Sequence, residues 1–301
     1  MNAQTIAIPK KLRELHNHHF DSTIWNDFAF RQGDIIIATY GKSGTTWTQQ
    51  IVSQLIFNGQ ENIPVAELSP WLDLRIPEKS IKLNALNAQQ HRRFIKTHLP
   101  VDALVFSPEA KYIYVGRDGR DVMWSMYNHH ANGNATFFNL INDTPGRVGP
   151  ELPKAGNDVV AYFNEWLDKD GYPFWSFWEN VKSWWSIRNM PNVFMMHFEN
   201  LKKDMPGEIR RLAAFLEIEI DEMKWNDILE HCSFNYMKQH AENAAPLGGV
   251  IWEGGAKTFI NKGTNGRWKD VLPKADSKRY EQLCIEKLGE DAARWINTGI
   301  I

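Results

Sequence analysis

Cysteine is scarce: Cys232 and Cys284 are the only two in 301 residues. A disulfide scaffold is excluded, and a reducing cytoplasm is the expected location. Long apolar runs are missing as well. The longest are short stretches such as Ile35–Ala38, far below the roughly 20 residues that span a bilayer. The opening MNAQTIAIPKKLRELHNHHF carries no apolar core of the signal-peptide kind. Charge of one sign is not in excess, with 34 Lys and Arg against 36 Asp and Glu and a net charge of −2. No general field for binding nucleic acid follows, while a local basic site for a small anion stays open. His16-Asn17-His18-His19 reads as a solvated N-terminal stretch, and with no metal-ligand cluster evident, no metal is expected.

What is abundant is tryptophan, 13 in all, five of them between Trp166 and Trp185, which reads as an aromatic helical core. Apolar residues make up 43% and charged residues 23%, a globular composition able to bury a large core.

Short β-branched runs alternate with helical periodicity. Asp34–Thr39 (DIIIAT) reads as a buried strand, and Trp47, Ile51 and Leu55 then recur at helical spacing. Phe94–Lys96 and Tyr112–Val115 read as two further strands, and Val193–His197 as a fourth. Asp118 is a good N-cap for a helix after the third strand. Ile209, Leu212, Ala213 and Leu216 share one helical face, with Pro206 in the first turn. The alternation predicts the α/β class, with a parallel sheet flanked by helices, in a single domain over residues 1–301. Asn139–Asp158 and the glycine-rich Pro246–Gly266 read as long loops.

Tyr40–Trp47 (YGKSGTTW) follows the first strand and opens the first helix. Glycines let backbone N–H groups converge on an anion, and the helix N-terminus adds about half a positive charge. Lys42 adds a full charge, and Ser43, Thr45 and Thr46 add hydroxyls. The segment is a P-loop-like phosphate cradle but not a Walker A loop, because Ile36 stands where that motif needs its first glycine. In FIKTHLP (Phe94–Pro100), Lys96 and His98 lie at the carboxyl end of a strand, where open α/β sheets bind ligands. A histidine there is suited to take a proton from a hydroxyl. Arg117 ends the third strand and Ser125 lies two helical turns on. Both suit a phosphate, although by spacing alone Arg117 pairs equally well with Asp118 or Asp121.

In these segments the sequence resembles the cytosolic sulfotransferase family, as a bacterial-type member. The likeness runs from about Asp34 to Trp268. YGKSGTTW resembles the family's phosphosulfate loop, FIKTHLP its catalytic histidine segment, RDGRDVMWSMYNH its 3'-phosphate segment, and NKGTNGRWK (Asn261–Lys269) its C-terminal glycine-rich motif. The resemblance implies 3'-phosphoadenylyl sulfate (PAPS) as donor and adenosine 3',5'-bisphosphate (PAP) as product. The sulfuryl group would pass to a hydroxyl or amine of a small, aromatic or apolar acceptor. It further implies His98 as general base, with Lys42 and Lys96 stabilising the transferring group. Ser43, Gly44, Thr45 and Thr46 would hold the 5'-phosphate, and Arg117, Ser125, Lys262 and Gly263 the 3'-phosphate. Trp47 and Phe234 would sandwich the adenine beside Cys232 and Ser233, and Trp71 and Tyr127 would wall the acceptor site.

The chain departs from the family pattern at several points. Asn261 stands where the family has arginine, and Arg267 is placed to compensate. Phe198 replaces a tyrosine near the nucleotide. The family's dimer motif, aligned from Lys269, meets Pro273, Lys274 and Lys278, so no dimer is carried over. Two other readings remain, a nucleotide-dependent kinase and a non-catalytic nucleotide binder. Ile36 argues against the first, and the presence of His98 with both lysines against the second.

Overall fold

A computed structural model describes residues 8–301. The β-branched runs form one parallel four-stranded sheet of β1 (Ile35–Thr39), β2 (Phe94–Thr97), β3 (Lys111–Gly116) and β4 (Val193–His197), in the order β2-β1-β3-β4. Ile35 pairs with Phe94 on one side and Lys111 on the other, and Tyr112 pairs with Val193. Helices connect and cover the strands: α1 (Thr45–Ile56), α2 (Gly119–Ala131), α3 (Ala135–Asp143), α4 (Val159–Asp168), α5 (Phe177–Ser186), α6 (Met205–Leu216), α7 (Lys274–Leu288) and α8 (Glu290–Thr298).

Both faces of the sheet are buried, which is why its strands read as continuous apolar runs. Successive residues point to opposite faces. Ile35, Ile37, Phe94, Ile113 and Val115 pack against Ile51, Val52 and Leu55 of α1 and Ile209, Leu212 and Leu216 of α6. Ile36, Ala38, Ile95, Tyr112 and Tyr114 pack into the larger aromatic core with Trp166, Trp184 and Trp295. Of the five clustered tryptophans, Trp166, Trp178 and Trp184 are core, whereas Trp175 lines a cavity. The expected N-cap is present, since the Asp118 side chain accepts from the Arg120 N–H; Asp204, not singled out in the sequence, caps α6 ahead of Pro206.

Three sequence expectations need correction. Asn139–Asp158 is not all loop, because α3 runs to Asp143 with Phe137, Phe138 and Ile141 buried on one face. Pro246–Gly266 contains short helical turns, Pro246–Gly249 and Ala256–Phe259. The histidine stretch is solvated only at its start: His16, beside Asp21, is exposed and Asn17 half-buried, whereas His18 and His19 are buried.

At the amino-terminal edge of the sheet, Arg93 and Asp34 form a fully buried ion pair. Arg93 Nε donates to Asp34 Oδ1 at 2.8 Å, and the Arg31 N–H donates to Oδ2 at 2.8 Å. Removing one partner of such a pair leaves an uncompensated buried charge. Arg93→Met should therefore cost about 3 kcal/mol of unfolding free energy. Urea denaturation checks this, and an unchanged midpoint would show that the pair is dispensable.

Candidate active site

Each strand delivers a site residue just beyond its carboxyl end. Tyr40–Thr46 follows β1, His98 follows β2, Arg117 follows β3 and Phe198 follows β4. Parallel strands end on the same side, so residues far apart in sequence meet at one edge of the sheet. They border a cavity of about 980 Å³.

The cradle is built by the backbone. Lys42 has a φ of 67°, a left-handed conformation costly for a side-chain-bearing residue, and Gly44 follows at 108°. A Cβ on Gly44 would lie 2.8 Å from the Phe198 ring, so the chain passes too close to β4 for any larger residue. This turn feeds directly into α1, whose N-terminus has no side-chain cap. The N–H groups of its first turn are thus left for an anion. Gly44, Thr45, Thr46 and Trp47 line the cavity, whereas Ser43 is buried beneath it.

His98 is held in one orientation. Its Nδ1 lies 2.8 Å from the Thr39 carbonyl oxygen, which accepts only if Nδ1 carries the proton, so Nε2 presents its lone pair. The His98 backbone is clamped on both sides. Its N–H donates to Asp73 Oδ2 at 3.3 Å and its carbonyl accepts from Asn180 Nδ2 at 2.9 Å. Asp73, fully buried, also accepts from the indole N–H groups of Trp71 (2.7 Å) and Trp25 (3.2 Å). Sequence reasoning missed Asp73, although it lies two residues beyond Trp71 in SPWLDL. Burial, aided by Lys96 and Lys42, holds His98 well below its ordinary range and therefore neutral.

Lys42 and Lys96 border the same cavity. The Lys42 ammonium lies 4.6 Å over the Phe259 ring and that of Lys96 4.8 Å over Trp71. Among the described residues neither lysine has an ion-pair partner. Burial, reinforced by Lys96 and Arg117, pulls Lys42 down to about 7. Burial, partly offset by Asp73, pulls Lys96 down to about 8. Arg117 pairs with neither Asp118 nor Asp121. Asp118 is occupied by Arg120. Arg117 instead donates to Asn265 Oδ1 (2.8 Å) and the Lys42 carbonyl (2.9 Å), its guanidinium over Phe198 at 4.2 Å. All these partners are neutral, so the charge remains available.

The C-terminal glycine-rich segment closes over this region. Asp121 accepts from the Gly266 N–H at 2.7 Å and pins it to α2. Asn261, Lys262 and Gly263 line the cavity with Ser125 and Phe234. At Gly263 a Cβ would come within 2.6 Å of the Phe234 ring. Arg267 also lines the cavity, and its Nη1 donates to Asn261 Oδ1 at 3.2 Å. A guanidinium thus sits beside the position where the arginine is missing.

Not every expected residue is there. Cys232 is wholly buried, and only its carbonyl contributes, accepting from Trp47 Nε1 at 2.8 Å. The Ser233 hydroxyl caps the short helix Phe234–Gln239 and does not line the cavity. Tyr127 is no wall: it packs against Tyr162 and Trp124 at 5.2 and 6.3 Å. Helical geometry explains this. Ser125 and His129 are four residues apart on one face of α2 and both line the cavity, while Tyr127 points elsewhere. That spacing was a signal for His129. Trp71 does line the cavity, 4.6 Å from the His98 ring and edge-on, with Trp175 stacked on His98 at 5.6 Å.

Residues 32–291 match the model of the sulfotransferase domain family. A glycolipid sulfotransferase of Mycobacterium tuberculosis is 31% identical over 93% of this chain and 92% of its own length. Mouse sulfotransferase 1B1 is 32% identical over 87% and 85%. Among solved structures, mouse sulfotransferase SULT7A1 complexed with PAP superposes with a TM-score of 0.70 at 24% identity, covering 91% of this chain and 92% of that one. Retinol dehydratase in complex with retinol and PAP gives 0.67 at 25% identity, covering 89% and 84%. The kinase reading gains no support from any of these. With the domain matched over most of its length, the chain belongs to the sulfotransferase family.

Proposed function

We propose that this chain transfers the sulfuryl group of PAPS to a hydroxyl of a small, flat and largely apolar acceptor, with His98 as general base and PAP as product. The carrying observation is a neutral, oriented histidine facing a cavity that also holds the half-buried Lys42 and Lys96, without ion-pair partners among the described residues, and an uncapped helix N-terminus. The PAP-bound solved relatives support the choice of donor. In this reading the first turn of α1 and Lys42 hold the 5'-phosphosulfate. Arg117, Ser125, Lys262 and Arg267 hold the 3'-phosphate, and Trp47 and Phe234 the adenine. Trp71 and Trp175 orient the acceptor beside His98.

His98 Nε2 takes the hydroxyl proton as the acceptor oxygen bonds to sulfur. The bond from sulfur to the bridging phosphate oxygen breaks in line, and that oxygen leaves with PAP. Lys42 and Lys96 meet the negative charge spread over the transferring group and the leaving oxygen. As for phosphoryl transfer, positioning and fixed positive charge do most of the work. The two cysteines are both free and buried, which supports a reducing cytoplasmic setting.

His98→Ala should lower transfer by about a hundredfold or more while keeping the thermal midpoint shift produced by PAP. Near-normal turnover would remove His98 as the base. Arg267→Ala should weaken PAP binding about tenfold, the worth of a charged hydrogen bond. Unchanged affinity would show that nothing replaces the arginine missing at Asn261.

The desolvated lysines make donor binding depend on pH. Lys42 near 7 and Lys96 near 8 are partly neutral at pH 8, and bound phosphate favours their charged forms. The affinity is full below the free-state pKa values and falls as pH rises through them. Between pH 7 and 9, where the phosphates stay dianionic, PAP should bind about tenfold more weakly at the higher pH, with protons taken up on binding. Calorimetry in buffers of different ionisation enthalpy measures both. A flat affinity with no proton uptake would mean that the lysines stay charged without the ligand.

A further inference from the structure

We propose that His19 recognises a second hydrogen-bond donor on the acceptor, apart from the hydroxyl that is sulfated. The inference rests on the sulfotransferase reading above and narrows its substrate class to compounds carrying two polar groups. A chain of fixed protons carries it.

The Pro173 carbonyl oxygen lies 2.8 Å from His18 Nε2 and can only accept. His18 therefore carries its proton on Nε2, and in the neutral ring its Nδ1 has a lone pair. That Nδ1 lies 2.5 Å from His19 Nδ1. Both rings are held neutral, chiefly by burial and further by Arg75. Only one arrangement fits, in which His19 Nδ1–H donates to His18. His19 Nε2 is then a bare acceptor, and among the described residues no protein group donates to it. The ring is buried within the fold, yet His19 lines the large cavity.

The location ties His19 to the reacting end. Its ring stacks on Trp71 (5.9 Å, 26°) and meets Trp175 at 5.9 Å, and the same two tryptophans flank His98. Phe174 and Phe137 complete an apolar surround at 5.6 and 6.5 Å. A flat acceptor lying along Trp71 and Trp175 thus has the base near one part of its length and a lone acceptor atom near another. His129 also borders the cavity, between Phe137 and Trp252, but among the described residues no partner sets its tautomer, so it does not select donor over acceptor. Leaving a buried acceptor unpaired disfavours a substrate without the matching donor.

The test compares sulfation of 4,4'-dihydroxystilbene with that of its monodeoxy analogue and its monomethyl ether, using PAPS and the full chain. The expected kcat/KM favours the diphenol about tenfold over both, the difference lying mainly in KM. The ether keeps an oxygen but lacks the proton, so it separates donor recognition from general polarity. In His19→Phe the preference should vanish, and in His19→Gln, whose amide oxygen accepts, part of it should return. The PAP midpoint shift reports that each variant is folded. Equal kcat/KM for the three compounds in the native chain, beyond the factor of two for equivalent hydroxyls, overturns the inference and leaves the sulfotransferase reading standing. A preference that persists in His19→Phe also overturns it. Transfer to none of the three overturns the proposed aromatic acceptor, and the inference with it.

Discussion

Lys42, Lys96 and Arg117 sit at the edge of an apolar cavity with no carboxylate among the described residues in ion-pair contact, and the rest of the site is arranged around that cost. Burying unpaired charge is unfavourable, and the lysines respond by losing proton affinity. Burial, aided by the same lysines, keeps His98 neutral, so in the proposed reaction the cations that attract the anionic donor also help hold the base in its active form. A strained element, the left-handed backbone at Lys42, occurs where the cradle turns into α1. An anionic ligand relieves the unpaired charge and uses the uncapped helix end together.

A second layer holds this one in place. Asp73 joins Trp71, Trp25 and the His98 backbone. Asn180, itself bonded to Tyr114 on β3, takes the other side of His98. Asp121 pins the glycine-rich segment through Gly266, and Asn265 links that segment to Arg117 and Glu199. Trp71 and His98 therefore share a buried carboxylate, and the glycine-rich segment shares its ties with Arg117.

Local chemistry was enough to read the four strands, the main caps and the cradle. A β-branched run buried on both faces has few alternatives to a parallel strand, and Asp118 at a helix start acts within three residues of itself. Lys42, His98, Arg117 and Phe198 follow strand ends, and parallel topology alone brings such positions together. Helical spacing would also have separated Tyr127 from Ser125 and His129. Arg267 was legible only as a charge near Asn261, and the fold places its guanidinium against that side chain.

The sequence by itself determined the α/β class, the order of the strands along the chain and the chemical types gathered at the site, because these depend on short-range pattern and residue identity. Only the tertiary structure decided the fate of His18 and His19. Their burial and tautomers are set by Pro173, 155 residues beyond His18, and by aromatic rings from three other segments. It also decided which aromatic residues are core and which are wall. Trp166 and Trp175 look alike in sequence, but one lies behind the sheet and the other beside His98. Contacts of that range are made by the packing of distant elements, and no local pattern encodes them.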